Sequence, residues 1–262
     1  MTVLFLKTAL ALLLSGAALA ASADEIDHPA DGRPVDGHPV EKRKFSLPPS
    51  AELDYAIRAE QSGLQLSGEG VLKWNATDNI YHIELETRAA LFGKILDSKS
   101  DGAIDDYGLA PTVFAEKRFH KDQTTTVFHR DSKTISFSVG SSSYPILGGE
   151  QDRTSAIWEL ISVARGAHGK FKENTDWAFF VAGQHDAEPW AFKVDKMETI
   201  RTPMGNVNAM HVVKVPSPEG KSQKVDIWLA PSLEWYPVRL RYTEQNGDYI
   251  EQSLSNINKT GK

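Results

Sequence analysis

The stretch VRLRYTEQNGDYIEQSL, residues 238–254, carries the clearest fold signal in the chain. Val238, Leu240 and Tyr242 alternate with two arginines, which is the period of two expected for a strand with one buried face. Asn246-Gly247 follows, and this dipeptide between two alternating runs is the strongest short-range signal for a β-hairpin. The stretch therefore predicts two antiparallel strands joined by a tight turn.

The same alternation runs upstream from Ala51. Residues 53–60 and 64–74 alternate in this way, and Gly68 and Gly70 fall on one face, which predicts a bend or a close backbone approach. About eleven strands are expected in all. The others are predicted at residues 81–88, Val113–Phe119, Thr124–Arg130, Thr134–Val139, Trp177–Val181, Trp190–Val194, Val207–Val215 and Val225–Leu229.

One segment departs from this period and predicts an amphipathic helix. Asp152 can cap it and Gly166 can end it, while four apolar residues recur at helical spacing, namely Ile157, Leu160, Ile161 and Ala164. A single helix among strands is expected to cover an open face or to plug one end of a sheet. The predicted fold class is therefore mainly β: one curled antiparallel sheet, an open barrel or half-barrel of lipocalin-like or lipoprotein-carrier-like form.

The N-terminal segment predicts export. Residues 1–23 combine Lys7, a short apolar run and small-residue cleavage patterns ending at Ala20 or Ala23, as in a secretory signal peptide. The run is too short to span a membrane, so the mature chain is expected to be periplasmic without a transmembrane segment. Three further regions are predicted: a disordered Pro-rich linker at 24–50, an antiparallel β domain at 51–257 and a polar tail at 258–262.

Composition excludes several classes of protein. The chain has 262 residues, 29 Lys+Arg against 35 Asp+Glu, a formal net charge of −6 and no cysteine. Without cysteine it forms no disulfide, thiol nucleophile, Cys-ligated zinc site or iron–sulfur cluster. The negative charge argues against a nucleic-acid partner, because phosphates require a basic surface.

Catalytic motifs do not emerge from the sequence. No Gly-x-Ser-x-Gly elbow, Ser-x-x-Lys, His-Glu-x-x-His or phosphate-binding Gly-rich loop occurs, and the eight histidines are scattered. Asp105-Asp106 are adjacent and are read as solvated loop carboxylates. We therefore predict a protein that is not an enzyme, with no catalytic residue, no metal site and no cofactor.

Aromatic residues are the remaining functional signal. Lining a concave sheet beside arginines, they would grip a sugar ring or an acyl chain; packed together, they would simply form core. The candidate ligand-binding residues are Trp74, Trp190, Trp228, Trp235, Tyr236, Arg239 and Arg241.

Three motif groups give the chain a family resemblance. They are Leu53-Asp54-Tyr55 with Gly68-Glu69-Gly70 and Tyr81, the segment at 152–156, and the ending with Thr202-Pro203-Met204-Gly205, Ile227-Trp228-Leu229-Ala230-Pro231 and Trp235-Tyr236-Pro237-Val238-Arg239-Leu240. These motifs resemble the bacterial exported proteins of the domain-of-unknown-function 3108 family over roughly 53–257. The resemblance implies a Gram-negative periplasmic protein with a curled antiparallel sheet, and it brings no catalytic residues.

Three functions remain open at this point. The first is a non-catalytic periplasmic protein that binds an apolar or glycan-like envelope component, such as a lipid, inside the curled sheet. The second is a structural or interaction module with a filled interior and an envelope protein as partner. The third is a hydrolase with an unrecognised site. An outer-membrane barrel is disfavoured, because several strands are short and the chain ends in polar residues.

Overall fold

The computed structural model describes residues 38–167, 169–216 and 223–259. The predicted signal peptide, the predicted linker up to residue 37 and residues 260–262 of the predicted tail lie outside these ranges. The described chain folds into one 15-stranded sheet with a single α-helix, α1 (Ser155–Gly166), and a 3-10 turn at Pro231–Leu233. Within these ranges, no helical segment has the length and apolarity that a membrane crossing requires.

Consecutive strands are neighbours in the sheet except β8 and β9, which are its two edges, and the first strand pairs with the last. All pairs are antiparallel except the two-residue pair of β9 with β10, which is parallel. The strands are β1 Ala51–Gln61, β2 Leu64–Ala76, β3 Ile80–Ala89, β4 Gly93–Asp105, β5 Gly108–Arg118, β6 Thr124–His129, β7 Thr134–Phe137, β8 Ser143–Pro145, β9 Gln151–Asp152, β10 Asp176–Ala182, β11 Ala187–Thr202, β12 Gly205–Lys214, β13 Lys224–Leu229, β14 Pro237–Thr243 and β15 Tyr249–Lys259.

The two free ends of the curled sheet overlap at β10. Val181 packs in the main core, while its neighbour Phe180, on the opposite face of the strand, packs against Phe128 of β6 and Ile135 of β7. Both faces of β10 are therefore buried, one inside the curl and one beneath β6 and β7. The predicted curled, open-barrel sheet is confirmed, and its edges are protected by overlap rather than by closure.

Strand β4 is absent from the sequence prediction. Its core-facing positions hold Ser98, Ser100 and Gly102, so apolar alternation is missing although the strand pairs along its whole length. Ser98 hydrogen-bonds to Thr154, and the Ser100 hydroxyl donates to the Asp152 carboxylate at 2.5 Å. Small polar residues are used here because the loop that leads into α1 packs directly on this strand.

Helix α1 plugs one end of the curled sheet. Trp158 stacks on Trp74 of β2 with a ring separation of 4.5 Å, and both side chains are almost fully buried. The Asp152 carboxylate accepts the backbone N–H groups of Thr154 and Ser155 at 2.8 Å each, so the predicted capping role is confirmed. The helix ends at Gly166, as predicted.

Residues 38–50, the N-terminal strap, are not a disordered linker as predicted. The Trp74 indole donates to the Pro48 carbonyl at 3.1 Å, and the Tyr236 hydroxyl donates to the Pro49 carbonyl at 2.6 Å. At Gly166, an added Cβ would lie 2.5 Å from backbone atoms of Phe45, so the strap crosses the helix where only glycine leaves room. Leu47 of the strap packs against the main core, and the strap carbonyls complete the hydrogen bonding of buried donors.

Candidate functional site

We call the end of the curled sheet opposite α1 the mouth. It is bordered by the turns that follow β1, β3, β5, β10 and β14. The Ser62 N–H donates to Asp248 at 2.9 Å across the first and last of these turns. The Thr126 hydroxyl donates to the Gly183 carbonyl at 2.7 Å, which joins the two halves of the sheet.

Lys214, the last residue of β12, is buried inside the curl near the mouth. It is opposite Phe192 and Val225 in the register of the sheet, and both neighbours belong to the main core. Its Nζ lies 4.5 Å from the ring centre of Trp190 and 3.8 Å from the Glu188 carboxylate. Only 5% of the residue is exposed. Burial lowers the pKa of Lys214, which is the expected effect on a cation removed from water.

Arg153 is the second cation of this region. It is half-buried, and no ion pair of its guanidinium is found among the residues that the structure describes. An added Cβ on Gly183 would lie 3.0 Å from the guanidinium, so this glycine leaves room for the side chain. Arg153 adds to the lowering of the pKa of Lys214, while Glu188 opposes it. The same added Cβ would lie 3.0 Å from Asp186 Oδ1, so a carboxylate also borders this space.

Glu116 of β5 supplies a second carboxylate, but its charge is already matched. Oε1 of Glu116 accepts from Arg118 Nε at 2.5 Å and from Gln184 Nε2 at 2.8 Å. The pKa of Tyr242 is raised to about 12, mainly by burial and also by Glu116, while Arg153 opposes the rise, so these groups share one electrostatic environment. We call this set the mouth cluster: Glu116, Arg118, Arg153, Glu188, Trp190, Lys214 and Tyr242.

An apolar rim surrounds the mouth. Ala59, Ala89 and Ile95 form a small buried group, and four half-buried residues pack on it: Leu66, Phe92, Phe119 and Ile250. Leu91, in the turn after β3, is 77% exposed. A cavity of about 460 Å³, lined in part by residues 67–69 and 88–90, opens at the same rim. The mouth therefore places a charged interior behind an apolar entrance.

The seven residues predicted to bind a ligand do not form one site. Trp74 and Tyr236 are core residues of the plugged end, and Trp235 packs near them against Phe171. Trp190 belongs to the mouth cluster. The remaining three, Trp228, Arg239 and Arg241, lie together across β13 and β14, where the Arg239 guanidinium lies 5.7 Å from the Trp228 ring centre. The sequence identified one member of the mouth cluster, because a buried lysine or arginine looks like any solvated one until its neighbours are known.

Two carboxyls with strongly raised pKa lie in the plug rather than in a cleft. Burial raises the pKa of Asp152 to about 6 and that of Glu159 to about 7. Glu159 accepts the Leu109 N–H at 2.8 Å, and Asp152 caps the helix. Both are fully buried, so the structure gives them positions suited to organising the plug.

Comparisons with known proteins agree with this fold. The family model described as "Protein of unknown function (DUF3108)" matches residues 52–255. A β-barrel-like protein of the DUF1849 family from Brucella abortus is 13% identical, covering 83% of this chain and 100% of its own, with a TM-score of 0.55. A DUF1329 family protein from Desulfovibrio piger is 9% identical (81% and 86% covered, TM-score 0.31), and the Mycobacterium tuberculosis lipoprotein LppX is 11% identical (80% and 88%, TM-score 0.23). The first shows the fold alone, and the other two are too distant to carry an argument. No curated protein matches the chain.

Proposed function

Because the chain belongs to the DUF3108 family, whose description assigns no activity, we propose a function from the geometry of the mouth. The protein is a non-catalytic periplasmic binding protein that holds an amphipathic, anionic molecule of the cell envelope. The observation that carries this proposal is the buried Lys214, whose pKa is lowered by burial and by the charge of Arg153, with Glu188 as the only carboxylate in ion-pair contact with either cation among the described residues.

An anionic group explains why the fold keeps two cations inside the curl. A buried charge is costly unless a counter-charge and hydrogen bonds compensate it. A carboxylate or phosphate between Lys214 and Arg153 would supply both, and the low dielectric of the site would strengthen the attraction. Without such a group, the lowered pKa of Lys214 records the cost of its burial.

An apolar portion of the ligand explains the rim. Phe92 and Phe119 contact each other at the rim with ring centres 6.1 Å apart, and the neighbouring Leu91 is exposed. An acyl chain bound along these residues would shield apolar area from water at roughly 25 cal/mol per Å². The anionic group would lie inward and the chain at the entrance.

Location and the absence of catalysis are parts of the same proposal. The signal-peptide pattern at 1–23 supports export, and an exported carrier would meet lipids and glycolipids of the envelope. The mouth cluster consists of charged and aromatic groups and pairs no serine or threonine with a histidine, which supports binding rather than hydrolysis. Mass spectrometry of the protein extracted from the periplasm is expected to find an N-terminus at Ala21 or Asp24; an intact Met1 would contradict export.

Binding is tested with two amphiphiles that share a chain and differ in the head group, dodecyl phosphate and dodecyl maltoside, in titration calorimetry. We expect the phosphate to bind, and Lys214→Met to weaken it at least tenfold. The matched control is Lys193→Met, an exposed lysine on neighbouring β11, which should bind as the parent does. Equal affinity for both amphiphiles, or no effect of Lys214→Met, would refute the anionic site.

A filled interaction module is the second candidate, and the tight packing of the plugged end favours it. In that case the rim would contact another envelope protein, and neither amphiphile would bind. Leu91→Ser would then weaken binding of the partner, while Lys214→Met would leave it unchanged. For a ligand held inside the curl, we expect the reverse, with Lys214→Met having the larger effect.

A further inference from the structure

A polar cluster lies on the outer face of β11, β12 and β13, opposite the core. Its centre is His211 of β12, which is paired with Trp228 of β13 in the register of the sheet. His211 Nδ1 lies 3.1 Å from Asp195 Oδ2, and Nε2 lies 2.8 Å from Asp226 Oδ1. We call this set, together with Glu198, the outer cluster.

The imidazole of the outer cluster is held in one orientation. Its ring stacks on the Trp228 indole with centres 4.6 Å apart and planes 7° from parallel. The His211 and Asp226 side chains are only 13% and 6% exposed, whereas the Asp195 side chain is 48% exposed. The cluster thus has a buried base and an open outer side from which an ion can enter.

Three donor atoms converge on this open side. One His211 nitrogen, one Asp195 oxygen and one Glu198 oxygen all lie within 4.8 Å of one another. Glu198 Oε2 accepts the Trp228 indole N–H at 2.9 Å, and its Oε1 is 3.5 Å from Lys196 Nζ. The carboxylate is therefore anchored by one oxygen while the other can turn towards a metal.

We propose that the outer cluster is a binding site for a transition-metal dication of the Zn²⁺ class. His211 would bind through Nδ1, with Asp195 and Glu198 as the two oxygen ligands and water completing the shell. Asp226 would accept the Nε2–H and orient the ring. This site is independent of the ligand proposed for the mouth.

The geometry fits this assignment in two respects. Metal-bound histidines almost always donate their other ring N–H to a carboxylate, carbonyl or water, and Asp226 is placed to accept it. Bonds of about 2.0–2.1 Å in a tetrahedral shell place ligand atoms roughly 3.3 Å apart, close to the 3.1 Å between His211 Nδ1 and Asp195 Oδ2. Imidazole with carboxylates selects zinc and its neighbours over Mg²⁺ or Ca²⁺, which prefer all-oxygen sites.

The competing explanation is a protonated imidazole that simply pairs with carboxylates. Burial alone would lower the pKa of His211, but hydrogen bonds to Asp226 and Asp195 outweigh it and raise the pKa. A second histidine offers a matched comparison: His82 also lies between two carboxylates, Asp101 and Glu84, but no third donor joins it within the described part of the chain. The ion-pair explanation treats both histidines alike, whereas the metal site singles out His211.

The test is calorimetric titration of Zn²⁺ into the tag-free, EDTA-stripped full chain. We expect one ion per chain, at least a hundredfold loss of affinity in His211→Gln, and no change in His82→Gln. Asp226→Asn should weaken binding ten- to hundredfold without altering the stoichiometry, as loss of an orienting carboxylate does. Circular dichroism in EDTA verifies that each variant is folded.

Three results would overturn the proposal. They are no binding of Zn²⁺ by the parent chain, unchanged affinity in His211→Gln, or Mg²⁺ binding as tightly as Zn²⁺. The second result would place any zinc on residues outside the outer cluster, and the third would indicate a purely electrostatic acidic patch.

Discussion

The plugged end and the mouth are built by the same strands, yet their interiors differ in chemistry. Along several strands the core-facing positions change from apolar to polar towards the mouth. The pairs are Phe114 then Glu116 in β5, Val212 then Lys214 in β12, Leu240 then Tyr242 in β14, and Leu254 then Gln252 in β15. The strand period fixes which side chains face inward, but it does not fix what fills the interior. In this molecule one end is packed for stability, and the other holds the binding site that we propose.

The largest expected effect comes from removing the aromatic stack at the plug. Trp158→Ala should lower the free energy of unfolding by about 3–5 kcal/mol, because it leaves a cavity beneath Trp74 that the closely packed helix cannot refill. Trp190→Ala at the mouth is the matched control and should cost about 1–2 kcal/mol, since Trp190 is only half-buried. Urea unfolding measures both. Equal losses would mean that the two ends are packed alike.

A chain that begins at Ala51 removes the strap from the plugged end. Trp74 and Tyr236 would lose the Pro48 and Pro49 carbonyls, and a buried donor without a partner costs about 1–3 kcal/mol. We expect the free energy of unfolding to fall by about 2–4 kcal/mol relative to a chain that begins at His38. Chemical unfolding of the two chains checks this. Equal stabilities would restore the interpretation of 38–50 as a linker.

The plug should also make stability depend on pH. Burial raises the pKa of Glu159 to about 7 in the folded state, above its usual value of 4.5. The folded state therefore binds this proton more tightly than the unfolded state does. The stabilisation that the protonated Glu159 carboxyl contributes is complete below about pH 4.5 and is lost as the pH rises through 7. The free energy of unfolding of the parent chain should therefore decline between pH 5 and 8. Glu159→Gln should make that decline smaller by on the order of 2 kcal/mol.

The control for this pH effect is Glu84→Gln on the sheet surface. The hydrogen bond from Lys99 is the main cause that lowers the pKa of Glu84, so its titration falls below the window and the decline should persist. An unchanged decline in Glu159→Gln would show that the carboxyl is not buried as described.

The smallest effect is expected at the rim. Leu91→Ser replaces a side chain that is already 77% exposed, so the free energy of unfolding should change by less than about 0.5 kcal/mol. Its affinity for dodecyl phosphate should nevertheless fall if the rim binds the alkyl chain. A stability loss as large as that of a core residue would assign Leu91 to folding rather than to contact with a ligand.

Local patterns predicted much of the fold. The turn at Asn246-Gly247 forms as expected, with Gly247 at φ 91° and the Glu244 N–H donating to the Asp248 carbonyl at 2.8 Å. Gly68 gives the close approach that was predicted, because an added Cβ would lie 2.2 Å from the Arg88 carbonyl oxygen. These features depend on neighbours in sequence or on one adjacent strand, and short-range rules describe such contacts well.

The candidate site was harder to predict than the fold. Lys214 follows an alternating run and is expected to be solvated, because lysine is rarely buried. Arg153 precedes the helix and has no local feature that marks it. Trp74 and Tyr236 were assigned to a ligand because aromatic residues serve core and binding sites equally well.

The sequence by itself determined an antiparallel sheet of alternating strands, one helix and the turn residues that join neighbouring strands. Each of these depends on steric preferences within a few residues. Tertiary structure alone decided that the strap completes the core, that the ends of the sheet overlap at β10 and that the charge of Arg153 acts on the buried Lys214. Those contacts join residues far apart in the chain. Their energies come from burial and from charges brought close together, and neither exists until the sheet has curled.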